Sequence, residues 1–346
     1  MKINSFNYFR AIAIILIIAG HSFGTVGMAF DNTFDITLKN LIADGTSLFV
    51  FISGFLFHHI FYPRYKYKKF LTAKFLNVFL PYLLLSFVPV LLYVSMKKDV
   101  FGDYFLPDGS GVFNEYLVPT LKYYLSGRFL DAYWYIPFIM VTFLLSPLHM
   151  KYIRLTLSRQ LVLIFGLSVV AIFMHRPVAN IHVLQSVLYF TPVYLIGITA
   201  SIHKEFIYEK LRGKELYLLG AALLIAYFQA SLGYQGNYHK PTFEYGGIDL
   251  MYFQKFLLCF FFMIWLNRFE NYDSKIINYI ALTSFTAFFI HPFIIWALSR
   301  SKFDFLHLNS WLVLALFVLS VALICALIAK LMKKIIPKHS RYIIGY

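Results

Sequence analysis

The stretch Phe9-Arg10-Ala11-Ile12-Ala13-Ile14-Ile15-Leu16-Ile17-Ile18-Ala19-Gly20-His21 decides how this chain is read. It is an apolar run with a cation near its start and an imidazole at its end. Eleven residues separate Arg10 from His21. On a helix that is roughly 1100°, three turns plus about 20°, with a rise of about 16 Å. Both side chains therefore share one helical face, one toward each end of a membrane span. A charged group in hydrocarbon costs roughly 2.5–3.5 kcal/mol even on the lenient insertion scale. A chain rarely keeps such a cost without using the group, so the pair suggests a polar track through a membrane.

The surrounding composition supports a membrane setting. The 346 residues are 60% hydrophobic and 14% charged, whereas soluble domains hold about 45–50% apolar and about 25% charged residues. An interior cannot take up that much apolar surface, so the outside must be apolar too. Lone strands cannot satisfy their backbone in lipid, and the runs lack the alternation of a barrel. The expected fold is an all-α polytopic membrane protein, a bundle of about ten transmembrane helices. The expected spans are 6–28, 38–61, 70–95, 132–150, 160–176, 183–202, 215–232, 248–267, 276–298 and 309–332. The fifth and seventh are the shortest. The first is read as an uncleaved span, because Arg10 and His21 interrupt it and no clear small-x-small cleavage site follows.

Orientation follows from the basic residues. The N-terminus, the even-numbered connections and the C-terminal tail hold 18 lysines and arginines, and the odd-numbered connections hold 9. This bias puts both termini in the cytoplasm. It also accounts for the net charge of +15 through anionic headgroups rather than nucleic acid. Cys259 and Cys325 both lie in apolar runs, and no disulfide framework or metal-ligand spacing exists. The longest loop, 96–130, is expected on the outer face.

Depth counting places the remaining polar residues. Arg10 and Lys74 lie about one turn inside the cytoplasmic end of their spans, beside the basic loop Arg64 to Lys69, and together would form a positive mouth. His21 and Asp44 reach a similar level in the outer half. A His21–Asp44 contact would fix the imidazole tautomer and suit His21 to act as a general base. His291 and Trp134 also lie in the outer half of their spans. Motifs of soluble enzymes are absent: there is no Gly-x-Ser-x-Gly, Walker loop, His-Glu-x-x-His or dinucleotide fingerprint. Charges buried in spans suit a polysaccharide or lipid-linked sugar exporter as well as an enzyme, although exporters spread such charges over more helices.

Four segments, in order, resemble acyltransferase family 3. They are Arg10 through His21, Ser47-Leu48-Phe49-Val50-Phe51-Ile52-Ser53-Gly54-Phe55-Leu56, Tyr133-Trp134-Tyr135-Ile136, and Ala287-Phe288-Phe289-Ile290-His291-Pro292. The third lacks the glutamate that follows it in longer members. In this the chain looks closer to the branch holding the enterobacterial-common-antigen acetyltransferase and the intercellular-adhesin polysaccharide membrane protein. The resemblance implies one transmembrane acyltransferase domain over 1–346 in a bacterial inner membrane. It implies transfer of an acyl group, usually acetyl, from acyl-CoA as co-substrate to a glycan or lipid-linked saccharide, with no permanently bound cofactor. It makes His21 the catalytic histidine, with Arg10 at the donor site. Lys74 and Ser53 are expected beside Arg10, and Trp134, Tyr133 and His291 at the acceptor. Asp44 as a catalytic partner rests on depth alone.

Overall fold

The computed structural model describes residues 3–96, 101–300 and 308–346. The outer-loop expectation therefore lies outside the described residues at 97–100, as does most of the connection after the ninth expected span. Among the described residues the regular structure is helical, apart from one isolated bridge between Arg176 and His239.

The first span is α1 (Asn4–Ser22). Its free N-terminal amides are satisfied from a distant loop: the Glu270 carboxylate accepts from the Asn4 and Ser5 backbone, each at 2.9 Å. This places negative charge at the positive end of the helix dipole. The second span is broken into α2 (Thr33–Ile42) and α3 (Gly45–Leu56). Asp44, in the left-handed conformation at φ 52°, makes the break. A helix end inside a membrane must find partners for its carbonyls. Here Lys255 donates to the carbonyls of Asn40 (3.2 Å) and Leu41 (2.8 Å), which accounts for a buried lysine in an apolar helix.

α3 runs on through a π-helical turn, Phe57–Phe61. The third span, α4 (Tyr67–Lys74) and α5 (Leu80–Met96), is joined by another, Phe75–Phe79. After α6 (Val118–Ser126), the fourth expected span is a bent pair, α7 (Tyr135–Leu144) and α8 (Ser146–Ile153), with a 57° angle between them. Then follow α9 (Leu157–Met174), α10 (Val183–Ile202), the short α11 (Lys204–Leu211), α12 (Glu215–Ser231), α13 (Leu250–Asn267), α14 (Lys275–Ser299), α15 (Trp311–Ile335) and α16 (Ser340–Ile344). Among the described residues, eight helical segments are long and apolar enough to cross a membrane. The other two expected spans are the bent pair and the 17-residue α12. The protein is an all-α, multi-pass membrane protein.

α1 and α10 are largely enclosed by protein, whereas α9 presents most of its surface outward. α1 packs against α3, α13, α14 and α15, so its Arg10–His21 face is held within the bundle. On α15, Leu312, Leu316, Leu319, Leu323, Leu327 and Leu331 form one exposed apolar stripe, as a lipid-facing helix requires. The closest helix pairing is α3 with α10. A Cβ on Gly54 would stand 2.0 Å from the Tyr194 carbonyl oxygen, and one on Gly197 would stand 2.2 Å from that of Phe51. Two reciprocal glycines let these backbones touch, the usual solution where no hydrophobic force drives helices together. Within Ile52-Ser53-Gly54-Phe55, the glycine is thus a packing residue.

Candidate functional site

A cavity of about 1000 Å³ runs through the bundle. Arg10, Lys74, Asn77, Lys333 and Arg341 line one end; His21, Asp44, Ser53 and Trp134 line it further along; Lys39, Arg128, Asp131, Arg176 and His239 line the other end. Arg10 and His21, on one helix, therefore open into one continuous space, as their eleven-residue spacing requires.

His21 has its hydrogen bond with another histidine. Its Nδ1 lies 2.9 Å from Nε2 of His291, and the rings are parallel to within 1°. Nδ1 of His291 in turn lies 2.7 Å from the Ala287 carbonyl oxygen. A carbonyl can only accept, so His291 Nδ1 carries its proton, and the Nε2 of the neutral ring is an acceptor. His21 Nδ1–H then donates to it, which leaves the lone pair of His21 on Nε2. His21 keeps part of its surface accessible and lines the cavity, whereas His291 is fully buried and is absent from the lining. His291, expected at the acceptor, lies behind His21 and does not line the cavity.

The expected His21–Asp44 contact is also corrected. Asp44 lines the cavity, but its carboxylate accepts from the Ser47 hydroxyl and pairs with Arg176 at 3.2 Å, both side chains being buried. The break at Asp44 turns the residue toward α9's end, where a full guanidinium charge outcompetes a neutral imidazole for it. Arg176 also donates to Asn180 Oδ1 at 3.1 Å and lies 4.8 Å over the Trp134 ring. Trp134 itself is 4% exposed and stacks on Phe190, so only its rim reaches the cavity.

Tyr133 is placed elsewhere than expected. It is fully buried, its hydroxyl donates to the Phe289 carbonyl at 2.9 Å, and it is absent from the cavity lining. The next residue but one, Tyr135, does line the cavity, as does Ser53. On the turn that opens α7, one residue points into α14 and its neighbours into the space.

At the basic end, Arg10 donates to Ser284 Oγ at 2.9 Å, and no carboxylate pairs with it among the described residues. Lys74 does not reach outward to headgroups. Its ammonium sits 4.4 Å over Phe61, 4.5 Å over Phe143 and 5.3 Å over Phe70. Arg341 and Arg10 are close enough to act on it electrostatically. Among the described residues no aspartate or glutamate lines this end. The opposite end is balanced, with Arg176 on Asp44 and Arg128 on Asp131 at 2.8 Å. Lys39 there donates to Gln235 at 3.1 Å. His239, in the loop beyond α12, donates to the Pro177 carbonyl, and burial, helped by the Arg176 charge, pushes its pKa down to about 4.

Sequence reasoning missed Arg176, Tyr135 and Arg341. Arg176 precedes Pro177 at the end of an apolar run, where a basic residue reads as a loop charge. Arg341 belongs to a basic tail that looks like one more headgroup contact.

A family model described as an acyltransferase domain matches residues 3–330. Neither a curated protein nor a solved structure matches the chain.

Proposed function

The chain belongs to acyltransferase family 3 and is a membrane acyltransferase; from that premise we propose that it moves an acyl group, acetyl being the simplest, from cytosolic acyl-CoA to a hydroxyl of a glycan or lipid-linked saccharide. The single observation that carries this reading is the continuity of the cavity from a strongly basic end to His21. Coenzyme A has its phosphates at one end and its thiol at the other. About thirteen bonds separate the nearer phosphorus from sulfur, and an extended chain at ~1.1–1.2 Å per bond spans about 15 Å. The helical rise from Arg10 to His21 is about 16 Å. Phosphates held at Arg10 and Lys74 by charge-assisted hydrogen bonds therefore bring the thioester to the imidazole.

The chemistry then needs one base. Nε2 of His21 takes the proton of the sugar hydroxyl as its oxygen attacks the thioester carbonyl carbon. The tetrahedral intermediate collapses, the C–S bond breaks with its electron pair leaving on sulfur, and the imidazolium returns the proton to the thiolate. The products are the acyl ester and free CoA. His291 keeps the attacking tautomer in place and accepts from Nδ1–H as His21 becomes charged. Gly45 and Thr46, which open α3, line the same chamber, so the positive end of that helix faces the place where the oxyanion forms. The far end, with paired charges and the side chains of Asn180, Gln235 and Asn237, suits a polyhydroxylated acceptor better than a strongly charged one. The positive-inside bias supports a cytosolic basic end, and a bacterial inner membrane is the setting this reading takes.

The test is purified protein with labelled acetyl-CoA and a glycan acceptor, scored for labelled ester and free CoA. Unmodified protein transfers label, and His21→Ala lowers kcat about 10²–10⁴-fold, the range for loss of a general base. Full turnover by a folded His21→Ala protein removes the assignment.

A further inference from the structure

We propose that the C-terminal helix α16 supplies a phosphate-binding residue, Arg341, to the acyl-donor mouth, where it acts together with Arg10, Lys74 and Lys333. The family match ends at residue 330, and α16 begins at Ser340, so this element lies beyond the matched stretch. The proposal rests on the acyl-CoA reading given above.

Three observations carry it. First, α16 is a built part of the bundle. Ser340 and Ile344 are buried, and the helix packs against α5, α14 and α15. Gly345, at φ 80°, turns the chain against Phe285 of α14, where a Cβ would come within 2.5 Å of the ring. Second, the turn places Arg341, Gly345 and Tyr346 in the cavity lining, on the same end as Arg10, Lys74 and Lys333. Four cations from α1, α4, α15 and α16 thus converge; among the described residues no aspartate or glutamate lines that end, and the carboxylate of Tyr346 offsets at most one of the four. Third, Arg341 is uncommitted. Its side chain is exposed, and no salt bridge or side-chain hydrogen bond engages it among the described residues.

Gathering like charges is unfavourable unless an anion joins them. The ligand must be polyanionic, since one carboxylate would leave most of the cluster unpaired. It must also be long enough beyond its charged end to follow the cavity along α1 to His21. A nucleotide bearing a pyrophosphate and a further phosphate, with a long arm, has both properties. With the arm extended along α1, the nucleotide stays at the mouth, within reach of an arginine presented from below the bundle. A guanidinium offers the bidentate fork suited to phosphate.

The experiment is equilibrium binding of CoA and of adenosine 3′,5′-bisphosphate to the purified full chain, paired with donor kinetics. Arg341→Gln weakens CoA binding about ten- to a hundredfold, as loss of a charge-assisted contact does. Arg341→Glu weakens it further, and Arg341→Lys retains most of the affinity. The donor KM rises by the same factor while kcat at saturating donor stays constant, and the effect shrinks as salt is raised. Unmodified protein that binds CoA, with folded Arg341→Gln binding it equally well, overturns the role of α16 and leaves the donor reading intact. Unmodified protein that binds neither probe and turns over no acyl-CoA overturns the donor reading and this inference together.

Discussion

Replacing His291 tests the most specific part of the mechanism, because this residue touches neither substrate yet is argued to decide which nitrogen of His21 is the base. In His291→Ala the 2.9 Å contact to His21 Nδ1 disappears. The Nδ1–H is then buried without an acceptor, and the ring is free to adopt the other tautomer. A hydrogen bond to a group that becomes charged is worth about 1.5–3 kcal/mol. At about 1.36 kcal/mol per tenfold in rate, kcat falls roughly 10- to 150-fold. The donor KM stays near that of the unmodified protein, because Arg10 lies three helical turns away along α1 and Lys74, on α4, lines the same end of the cavity as Arg10. His291→Gln separates positioning from packing. Its Oε1 can accept from Nδ1–H in place of the imidazole, so at least a tenfold part of the loss returns. The assay is CoA release and ester formation at saturating donor, with thermal unfolding in detergent showing that each variant is folded. Unchanged kcat in folded His291→Ala, or equal losses in His291→Ala and His291→Gln, refutes the tautomer argument.

Three further outcomes follow from the packing and the charges. Gly54→Ala and Gly197→Ala each force a methyl onto backbone carbonyls 2.0 and 2.2 Å away, so each lowers detergent stability by about 1–3 kcal/mol or more. Gly220→Ala, with nothing within 4 Å, is neutral or stabilising; similar melting temperatures for all three contradict the α3–α10 packing. Asp44→Asn and Arg176→Met each strand a buried charge and destabilise by about 3–5 kcal/mol. The double variant loses less than the sum, and strict additivity in the cycle removes the pair. His239, pushed down to about 4 from its ordinary 6.5, binds its proton more readily when unfolded. Its contribution to stability is complete above pH ~6.5 and lost as pH falls toward ~4. His239→Asn therefore flattens the acid limb of unfolding between those values, and an unchanged limb refutes the assignment.

The sequence carried the architecture well because hydrocarbon imposes a strong rule. Apolar runs of about 20 residues must be helices, and every expected span coincides with helix. The Arg10–His21 face was legible for the same reason, since eleven residues on one helix fix a direction without knowledge of neighbours. Contacts between helices were not legible. Asp44 and His21 share a depth, but depth leaves rotation open, and the left-handed turn at Asp44 sends the carboxylate to Arg176. Tyr133 and Tyr135 differ by two positions on a helical turn, which is enough to exchange a packing role for a lining one. His291 was singled out correctly as a polar residue within a span. Its use behind His21 depends on the packing of α1 against α14, which no local pattern encodes. The broken second span also explains a residue that the sequence left without a role: Lys255 is buried to satisfy carbonyls that the break exposes.

The central claim is that one cavity holds the acyl donor with its phosphates at the cationic end and its sulfur at His21. A structure of the protein bound to a non-hydrolysable acetyl-CoA analogue tests it directly. The account predicts phosphate density against Arg10 and Lys74 and the acyl-bearing atom within hydrogen-bonding distance of His21 Nε2. An analogue bound outside this cavity, or with its phosphates at the Arg128–Arg176 end, contradicts it.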